Sequence, residues 1–223
     1  MADKKFEVVT FDCYGTLIDW EGSIVRAFQG EAGKDGMKLD PDDIISAYMK
    51  EEPAVEAGPY KSYREVLGET AERVGSRLGW KPGAERAGFL GASLGDWQPF
   101  PDTNAALERL SRRYTLGILS NIDDDLLALT RRHFTVDFGL VVTAQQVRSY
   151  KPAQGHFKEA LALAAGRPLL HAAQSYFHDI VPTSHMGIPS AWVKRKSEDT
   201  AMLDSRPTYV VRDLAGLADM LLG

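Results

Sequence analysis

The chain has 223 residues, of which 44% are hydrophobic, 9% aromatic and 26% charged. This composition is typical of a globular protein with a buried core, and it excludes collagen-like, disordered and disulfide-stapled proteins. Acidic residues outnumber basic residues by 31 to 26, so the net charge of −5 gives no general attraction to nucleic acid.

The N-terminal region predicts a soluble protein in a reducing compartment. The polar residues MADKK precede the strand-like segment FEVVTF, and no apolar run is long enough for a signal peptide or a membrane span. The only cysteine is Cys13, so no intrachain disulfide can form. We therefore expect a cytoplasmic location and no membrane partner.

Short apolar runs that end in polar or turn residues predict buried strands. They lie at residues 6–11, 115–119, 140–143, 191–193 and 209–211. Helical patterns lie between them at residues 104–113, 124–133 and 155–165. From residue 100 onward strands and helices alternate, which is typical of an α/β fold with a parallel sheet.

The stretch from residue 21 to residue 98 contains helical patterns and no convincing strand. The predicted helices are 23–33, 41–55, 63–78 and 83–94, separated by proline and glycine. This predicts a discontinuous core domain of residues 1–20 and 99–223 and a helical cap domain of residues 21–98. Residues 97–102 are a candidate hinge, and the polar segment 196–206 is expected to be a surface loop.

Asp12 follows the first predicted strand, where α/β sheets bind their ligands. A carboxylate there can attack an electrophilic carbon or phosphorus and form an ester. Gly15 permits a tight turn whose N–H groups could face an anion. The structural alternative is that Asp12 caps a loop and that Gly15 and Thr16 form an ordinary turn.

Three later segments also place polar groups near strand ends. Ser120 and Asn121 follow the second strand, Lys151 lies in a loop before a helix, and Asp179 follows a short candidate strand. A lysine near Asp12 would keep that carboxyl ionised. The structural alternatives are helix capping by Asn121 and a solvated lysine.

These four segments, FDCYGTL, LSN, SYKP and HDI, resemble the four motifs of the haloacid dehalogenase superfamily in the same order. The resemblance covers nearly the whole chain and implies a Rossmann-like core with an inserted, all-helical mobile cap. It implies that Asp12 is the nucleophile and that Thr16, Ser120, Lys151 and Asp179 complete the catalytic set.

Two positions depart from the pattern of the magnesium-dependent phosphatases in this superfamily. Tyr14 stands where phosphatases carry a second aspartate that protonates the leaving alkoxide. Gln174 stands five residues before Asp179, where an acid is expected. No cofactor is therefore expected, and magnesium held by Asp12 and Asp179 belongs only to a phosphatase alternative.

The Tyr14 form of the first motif resembles the L-2-haloacid dehalogenase branch, which acts without metal. The resemblance implies displacement of halide by Asp12, followed by hydrolysis of the ester with Asp179 as base. The motifs FDCYGTLIDW, LSNID and HD-x-x-P also resemble those of the L-azetidine-2-carboxylate hydrolases. A catalytically silent member that binds a metabolite or protein is a further alternative.

The substrate implied by this resemblance is a small carboxylic acid. Candidate contacts near the strand ends are Cys13, Tyr14, Asn121, Ser175 and His178. We expect attraction for the carboxylate to come from Lys151, Ser120 and Asn121. The dehalogenase branch uses a cap arginine for the carboxylate, whereas residues 48–52 contain only Lys50, whose structural alternative is a solvated helix residue. The resemblance to dimeric dehalogenases implies a homodimer.

Overall fold

A computed structural model describes residues 5–196 and 204–223. Most of the segment predicted as a surface loop therefore lies outside the described residues. The chain forms two compact units, which we call the core unit and the helical unit. The core unit is Met1–Ile18, Pro99–Asn121 and His133–Gly223, and the helical unit is Asp19–Gln98 and Ile122–Arg132. Within the described ranges no helix is both long and apolar enough to span a bilayer.

The core unit is built on a parallel sheet. Its strands are Val8–Phe11 (β1), Thr115–Ser120 (β2), Leu140–Thr143 (β3), Leu169–Ala173 (β4), Ser190–Val193 (β5) and Tyr209–Val211 (β6). The described strands lie in the order β3-β2-β1-β4-β5-β6, and each neighbouring pair is parallel. This confirms the predicted α/β fold class. The strand order reverses between β1 and β4, which is where such sheets bind their ligands.

The central strands are buried because both faces of the sheet are covered. Every residue of β1 and of β4 is buried, as expected for a parallel sheet. A Cβ at Gly117 in β2 would lie 2.9 Å from the Leu140 side chain and 3.0 Å from that of Thr10, so this close strand contact requires glycine. The helices of the core unit are Thr103–Ser111 (α5), Ala144–Val147 (α7), Gly155–Ala164 (α8), Val181–His185 (α9) and Leu214–Leu222 (α10).

The helical unit contains Trp20–Gly33 (α1), Pro41–Glu56 (α2), Tyr63–Arg77 (α3), Phe89–Ser93 (α4) and Asp124–Arg131 (α6). Helix α3 begins with a capping box in which Ser62 and Glu65 each accept a hydrogen bond from the backbone N–H of the other. The predicted helix at 83–94 is instead two 3₁₀ turns, Ala84–Arg86 and Leu94–Asp96, on either side of α4. Glycine is frequent there, and it lowers helix propensity.

Helix α6 lies in the sequence range predicted as core but packs with the helical unit. The buried carboxylate of Asp123 accepts hydrogen bonds from the backbone N–H groups of Tyr63 and Arg64, both at 2.9 Å. Arg64 also forms an ion pair with Asp125 at 2.6 Å. Asp123 directly precedes α6, but its side chain caps α3, which is distant in sequence.

Candidate active site

Asp12 directly follows β1, and both oxygens of its carboxylate are held by neighbouring side chains. The Thr16 hydroxyl donates to Oδ2 at 2.7 Å, and the Lys151 ammonium donates to Oδ1 at 2.9 Å. The backbone N–H of Asp12 donates to the carbonyl of Ala172 in β4 at 3.1 Å. Only 7% of the residue is exposed, so the carboxylate is fixed and largely shielded from solvent.

The turn after Asp12 places the Thr16 hydroxyl against the carboxylate. The sequence suggested that N–H groups around Gly15 face an anion, but the Gly15 N–H does not. Gly15 has a φ of +97°, and its N–H donates to the carbonyl of Ile18 at 2.8 Å. The left-handed conformation that glycine allows closes the turn. The Thr16 hydroxyl donates to Asp12 and accepts from the backbone N–H of Gln174 at 2.9 Å, which links the ends of β1 and β4.

Lys151 is buried, and its ammonium makes three hydrogen bonds. It donates to Asp12 at 2.9 Å, to Asp179 at 2.7 Å and to the Leu119 carbonyl at 3.0 Å. Burial alone would lower the pKa of Lys151, but the two carboxylates raise it well above its usual value. An ammonium has three hydrogens, so Lys151 has none left for a substrate carboxylate. Its effect is to hold both carboxylates in place and to keep Asp179 ionised.

Asn121 positions Lys151, because both ends of its side-chain amide bond to the lysine backbone. Oδ1 accepts from the Lys151 N–H at 2.6 Å, and Nδ2 donates to the Lys151 carbonyl at 3.1 Å. The neighbouring Ser120 hydroxyl is buried and has no hydrogen-bond partner in the described structure. Ser120 is therefore the better donor for an anionic substrate group.

A histidine that the sequence analysis did not select also contacts the Ser120 backbone. His156 is fully buried in α8, and its Nε2 lies 3.0 Å from the Ser120 carbonyl. Burial and the Lys151 ammonium lower the pKa of His156 to about 4. At neutral pH the ring is uncharged, and Nε2 donates its hydrogen to the carbonyl.

Asp179 lies in a π-helical turn, Tyr176–Ile180, that follows β4. Its Oδ1 accepts from Lys151 at 2.7 Å and from His171 Nε2 at 2.9 Å. Its Oδ2 is buried without a partner in the described structure. Burial alone would raise the pKa of Asp179, but Lys151 and His171 hold it below its usual value. The unpartnered oxygen can accept a hydrogen bond from a water molecule or a substrate.

His171 is the principal site residue that the sequence analysis missed. It lies in β4 opposite Thr10 of β1, and its Nδ1 is 2.9 Å from the Thr10 hydroxyl. The sequence feature that could have indicated it is a histidine within the otherwise apolar strand sequence LLHAA. A fully buried histidine requires polar partners on both nitrogens, but the sequence does not reveal that one of them is Asp179.

The other residues that were predicted to contact the substrate lie in different surroundings. Ser175 accepts from the backbone N–H of His178 and lies 3.0 Å from its Nδ1, so this pair caps the turn that carries Asp179. The Cys13 thiol is fully buried, and burial and then Asp12 raise its pKa well above its usual value. Tyr14 is partly exposed. Lys50 is an exposed residue of α2 in the helical unit.

The family model of the haloacid dehalogenase-like hydrolases matches residues 6–170. The chain belongs to this family. An (S)-2-haloacid dehalogenase of Pseudomonas putida is 26% identical, over 98% of this chain and 99% of the relative. Both the family assignment and the hydrolase class predicted from the sequence are confirmed.

Solved structures share the fold of this haloacid dehalogenase-like hydrolase. The L-2-haloacid dehalogenase of Xanthobacter autotrophicus with covalently bound chloropropionic acid has a TM-score of 0.82 and 19% identity, covering 98% of this chain and 99% of the other. A putative HAD-hydrolase of Bacillus subtilis bound to magnesium has a TM-score of 0.81 and 16% identity, covering 98% and 99%. The fold is therefore shared by a dehalogenase with covalently bound chloropropionic acid and by a putative hydrolase bound to magnesium.

The acidic residues of this haloacid dehalogenase-like hydrolase do not fit a magnesium ion. Mg²⁺ takes octahedral oxygen ligands and is usually bound through carboxylates. The Lys151 ammonium bonds to one oxygen of both Asp12 and Asp179. In residues 5–196 and 204–223 no group of three or more His, Cys, Asp or Glu side chains is arranged to hold a metal ion.

Proposed function

We propose that this hydrolase is a 2-haloacid dehalogenase that acts on a small 2-substituted carboxylic acid through an aspartyl ester and without a metal ion or another cofactor. The observation that supports this most directly is the Asp12 carboxylate, held by Lys151 and Thr16 at the end of β1. The 26% identity to an (S)-2-haloacid dehalogenase over nearly both chains supports the same substrate class.

In the first step an oxygen of Asp12 attacks the α-carbon, forms a C–O bond and expels halide with the electron pair of the broken C–X bond. Halide is a good leaving group and needs no proton. Tyr14 in place of an acid at this position is therefore consistent with dehalogenation. Phosphate ester cleavage would need a general acid for the alkoxide.

In the second step a water oxygen attacks Cγ of the Asp12 ester. One water proton passes to Oδ2 of Asp179, which is buried and has no partner in the described structure. The Cγ–O bond to the substrate breaks, and that proton neutralises the leaving alkoxide as a 2-hydroxy acid forms. The second proton leaves to solvent when Asp12 ionises again.

Ring opening of L-azetidine-2-carboxylate is the second candidate. The motifs FDCYGTLIDW and LSNID favour it, and the stretch from Tyr48 to Glu52 contains Lys50 but no arginine. An arginine fork suits a substrate carboxylate better than a lysine does. In this reaction a protonated ring nitrogen leaves the carbon that Asp12 attacks, so a second aspartate is again unnecessary.

The test is an assay of the purified protein in EDTA with L-2-chloropropionate, chloroacetate and L-azetidine-2-carboxylate. We expect halide release from the chloroacids, or a hydroxylated amino acid from azetidine-2-carboxylate if the second candidate holds. Activity that appears only with added magnesium, on a phosphate ester, would refute both.

The covalent step has its own test. A single turnover in ¹⁸O water should place the label in Asp12 and not in the product, because water attacks Cγ of the ester. Label that appears directly in the product would show that water attacks the substrate. Asp12→Asn should abolish turnover; the mass of the variant must be checked for deamidation.

We also propose that the enzyme is cytoplasmic, as its single cysteine and N-terminal sequence predict, and dimeric, as the resemblance implies. Apart from the second copy of this chain, its partner is the small carboxylic acid, with no nucleic acid and no membrane. Analytical ultracentrifugation of the purified chain tests the dimer, and a sedimentation coefficient of a monomer at micromolar concentration would contradict it.

A further inference from the structure

We propose that His171 is a positioning residue for the hydrolysis of the ester: it directs one oxygen of Asp179 toward the attacking water. This inference rests on the proposed function, because it concerns the second step of that reaction. The sequence motifs and the family assignment give no role to this buried residue of β4.

The two oxygens of Asp179 differ in their hydrogen bonds. Lys151 Nζ and His171 Nε2 both donate to Oδ1, at 2.7 and 2.9 Å, and neither bonds to Oδ2. Asp179 is completely buried, so its free oxygen has no bulk water around it. A buried carboxylate oxygen requires a hydrogen-bond donor. During catalysis that donor is the water that attacks the ester.

The imidazole of His171 is oriented by partners on both ring nitrogens. Asp179 is ionised and can only accept, so His171 Nε2 carries a hydrogen. The Thr10 hydroxyl lies 2.9 Å from Nδ1 and 3.5 Å from the Leu170 carbonyl, and the shorter contact favours donation to Nδ1. Thr10 and His171 are directly paired between β1 and β4. The sheet therefore holds the ring with the hydrogen of Nε2 directed at Asp179.

Lys151 alone cannot orient Asp179 throughout the reaction. Its ammonium also bonds to Asp12, which forms the ester during the reaction and is no longer a carboxylate. The His171 ring is fully buried and packs edge-to-face on Phe157 at 5.3 Å between ring centroids. The contact from His171 thus persists while the charge on Asp12 changes.

The test separates ester formation from ester hydrolysis in the full-length enzyme. With L-2-chloropropionate, rapid-quench measurements give halide release and lactate formation separately, and intact mass gives the ester. In His171→Leu we expect ester formation to change less than threefold and hydrolysis to slow roughly 100-fold, which is the effect of a small misplacement of a reacting group. The ester should accumulate to nearly one per active site.

Two further variants control this result. In His171→Gln the side-chain amide N–H can still donate, so we expect hydrolysis to recover by roughly tenfold relative to His171→Leu. Tyr114→Phe removes another part-buried hydrogen bond of the core unit, to the Leu221 carbonyl. It should show no accumulation of ester. Equal slowing of both steps in His171→Leu, or no slowing of hydrolysis, would overturn the proposal.

A spectroscopic measurement decides the proposal independently of turnover or of the folding of a variant. The ¹⁵N chemical shifts of the His171 ring in the wild-type protein should show hydrogen on Nε2. A ring without hydrogen on Nε2 would overturn the proposal, because Nε2 would then not donate to Asp179. A wild-type enzyme inactive on every substrate named above would instead refute the proposed function.

Discussion

Replacing Lys151 by methionine tests how much the buried ion pairs contribute to the core unit. The variant loses the ammonium, while Asp12 and the completely buried Asp179 remain. Removing one partner of a buried ion pair costs about 3–5 kcal/mol, because the other charge is left unpaired in a medium of low dielectric constant. This substitution leaves two carboxylates without their cation and also removes a donor from the Leu119 carbonyl. We expect a loss of about 4–5 kcal/mol in the free energy of unfolding at neutral pH.

The loss should depend on pH in a defined direction. In the wild type, Lys151 and His171 hold the pKa of Asp179 below its usual value despite burial. This carboxylate therefore stabilises the fold above its unfolded pKa of about 4, and the contribution is lost as pH falls through the native pKa. Without Lys151, burial raises the pKa, and protonation removes the unpaired charge. The difference between the proteins should shrink between neutral pH and about pH 4.

Urea unfolding followed by circular dichroism gives the free energies, and hydrogen exchange of the sheet amides assigns the transition to the core unit. Tryptophan fluorescence is less suitable, because Trp20, Trp80 and Trp97 all lie in the helical unit. The double variant Lys151→Met/Asp179→Asn should recover at least about 2 kcal/mol, since it lacks one buried charge. A loss under about 1 kcal/mol, or an equal loss at about pH 4, would refute the reasoning.

Three further predictions concern groups outside the reaction steps. Burial raises the pKa of Glu52 to about 7 although Tyr63 donates to it, so this group stabilises the fold below its unfolded pKa and loses that effect as pH rises. Glu52→Gln should flatten the pH dependence of unfolding between about 4.5 and 7; an unchanged profile would contradict this. The Cys13 thiol should react with a thiol reagent roughly 100-fold more slowly in the native than in the unfolded protein, because it is buried and its pKa is raised. Labelling of the native protein as fast as that of the unfolded protein would contradict this prediction. Ser62→Ala removes the capping box of α3 and should cost about 1 kcal/mol in urea unfolding; the exposed helix substitution Ser46→Ala is its control, and an equal effect of both would count against the cap.

The sequence pattern located most elements because burial and turn residues leave a local record. Strands β3 and β6 have the predicted bounds, since each is a short apolar run between turn residues. The helix expected at 83–94 is interrupted because the local propensity of its glycines outweighs its apolar spacing. Helix α10 was not predicted.

The contact between Lys151 and Asp12 was expected from the sequence, but the other hydrogen-bond partners of the motif residues were not. The sequence placed Asp12 and Asp179 after strands and Lys151 in a loop before a helix, and the folded core unit brings them together. It assigned Lys151 and Asn121 to the substrate, whereas Asn121 holds the Lys151 backbone and Lys151 has its three donors in use. Such assignments depend on how many donors and acceptors meet in space, which no linear spacing records.

The sequence by itself determined the family and the α/β fold class and predicted Asp12 as the nucleophile, because strand ends, glycine turns and charged motif residues are local features. The tertiary structure alone decided that His171 contacts Asp179 and that Asp179 Oδ2 has no partner among the described residues. It also decided that Ser120 presents a free hydroxyl there. These facts arise from the pairing of β1 with β4 and from the burial of charge between distant segments. The composition gives only the net charge, whereas the proposed reaction depends on a few buried charged side chains that the folded sheet brings together.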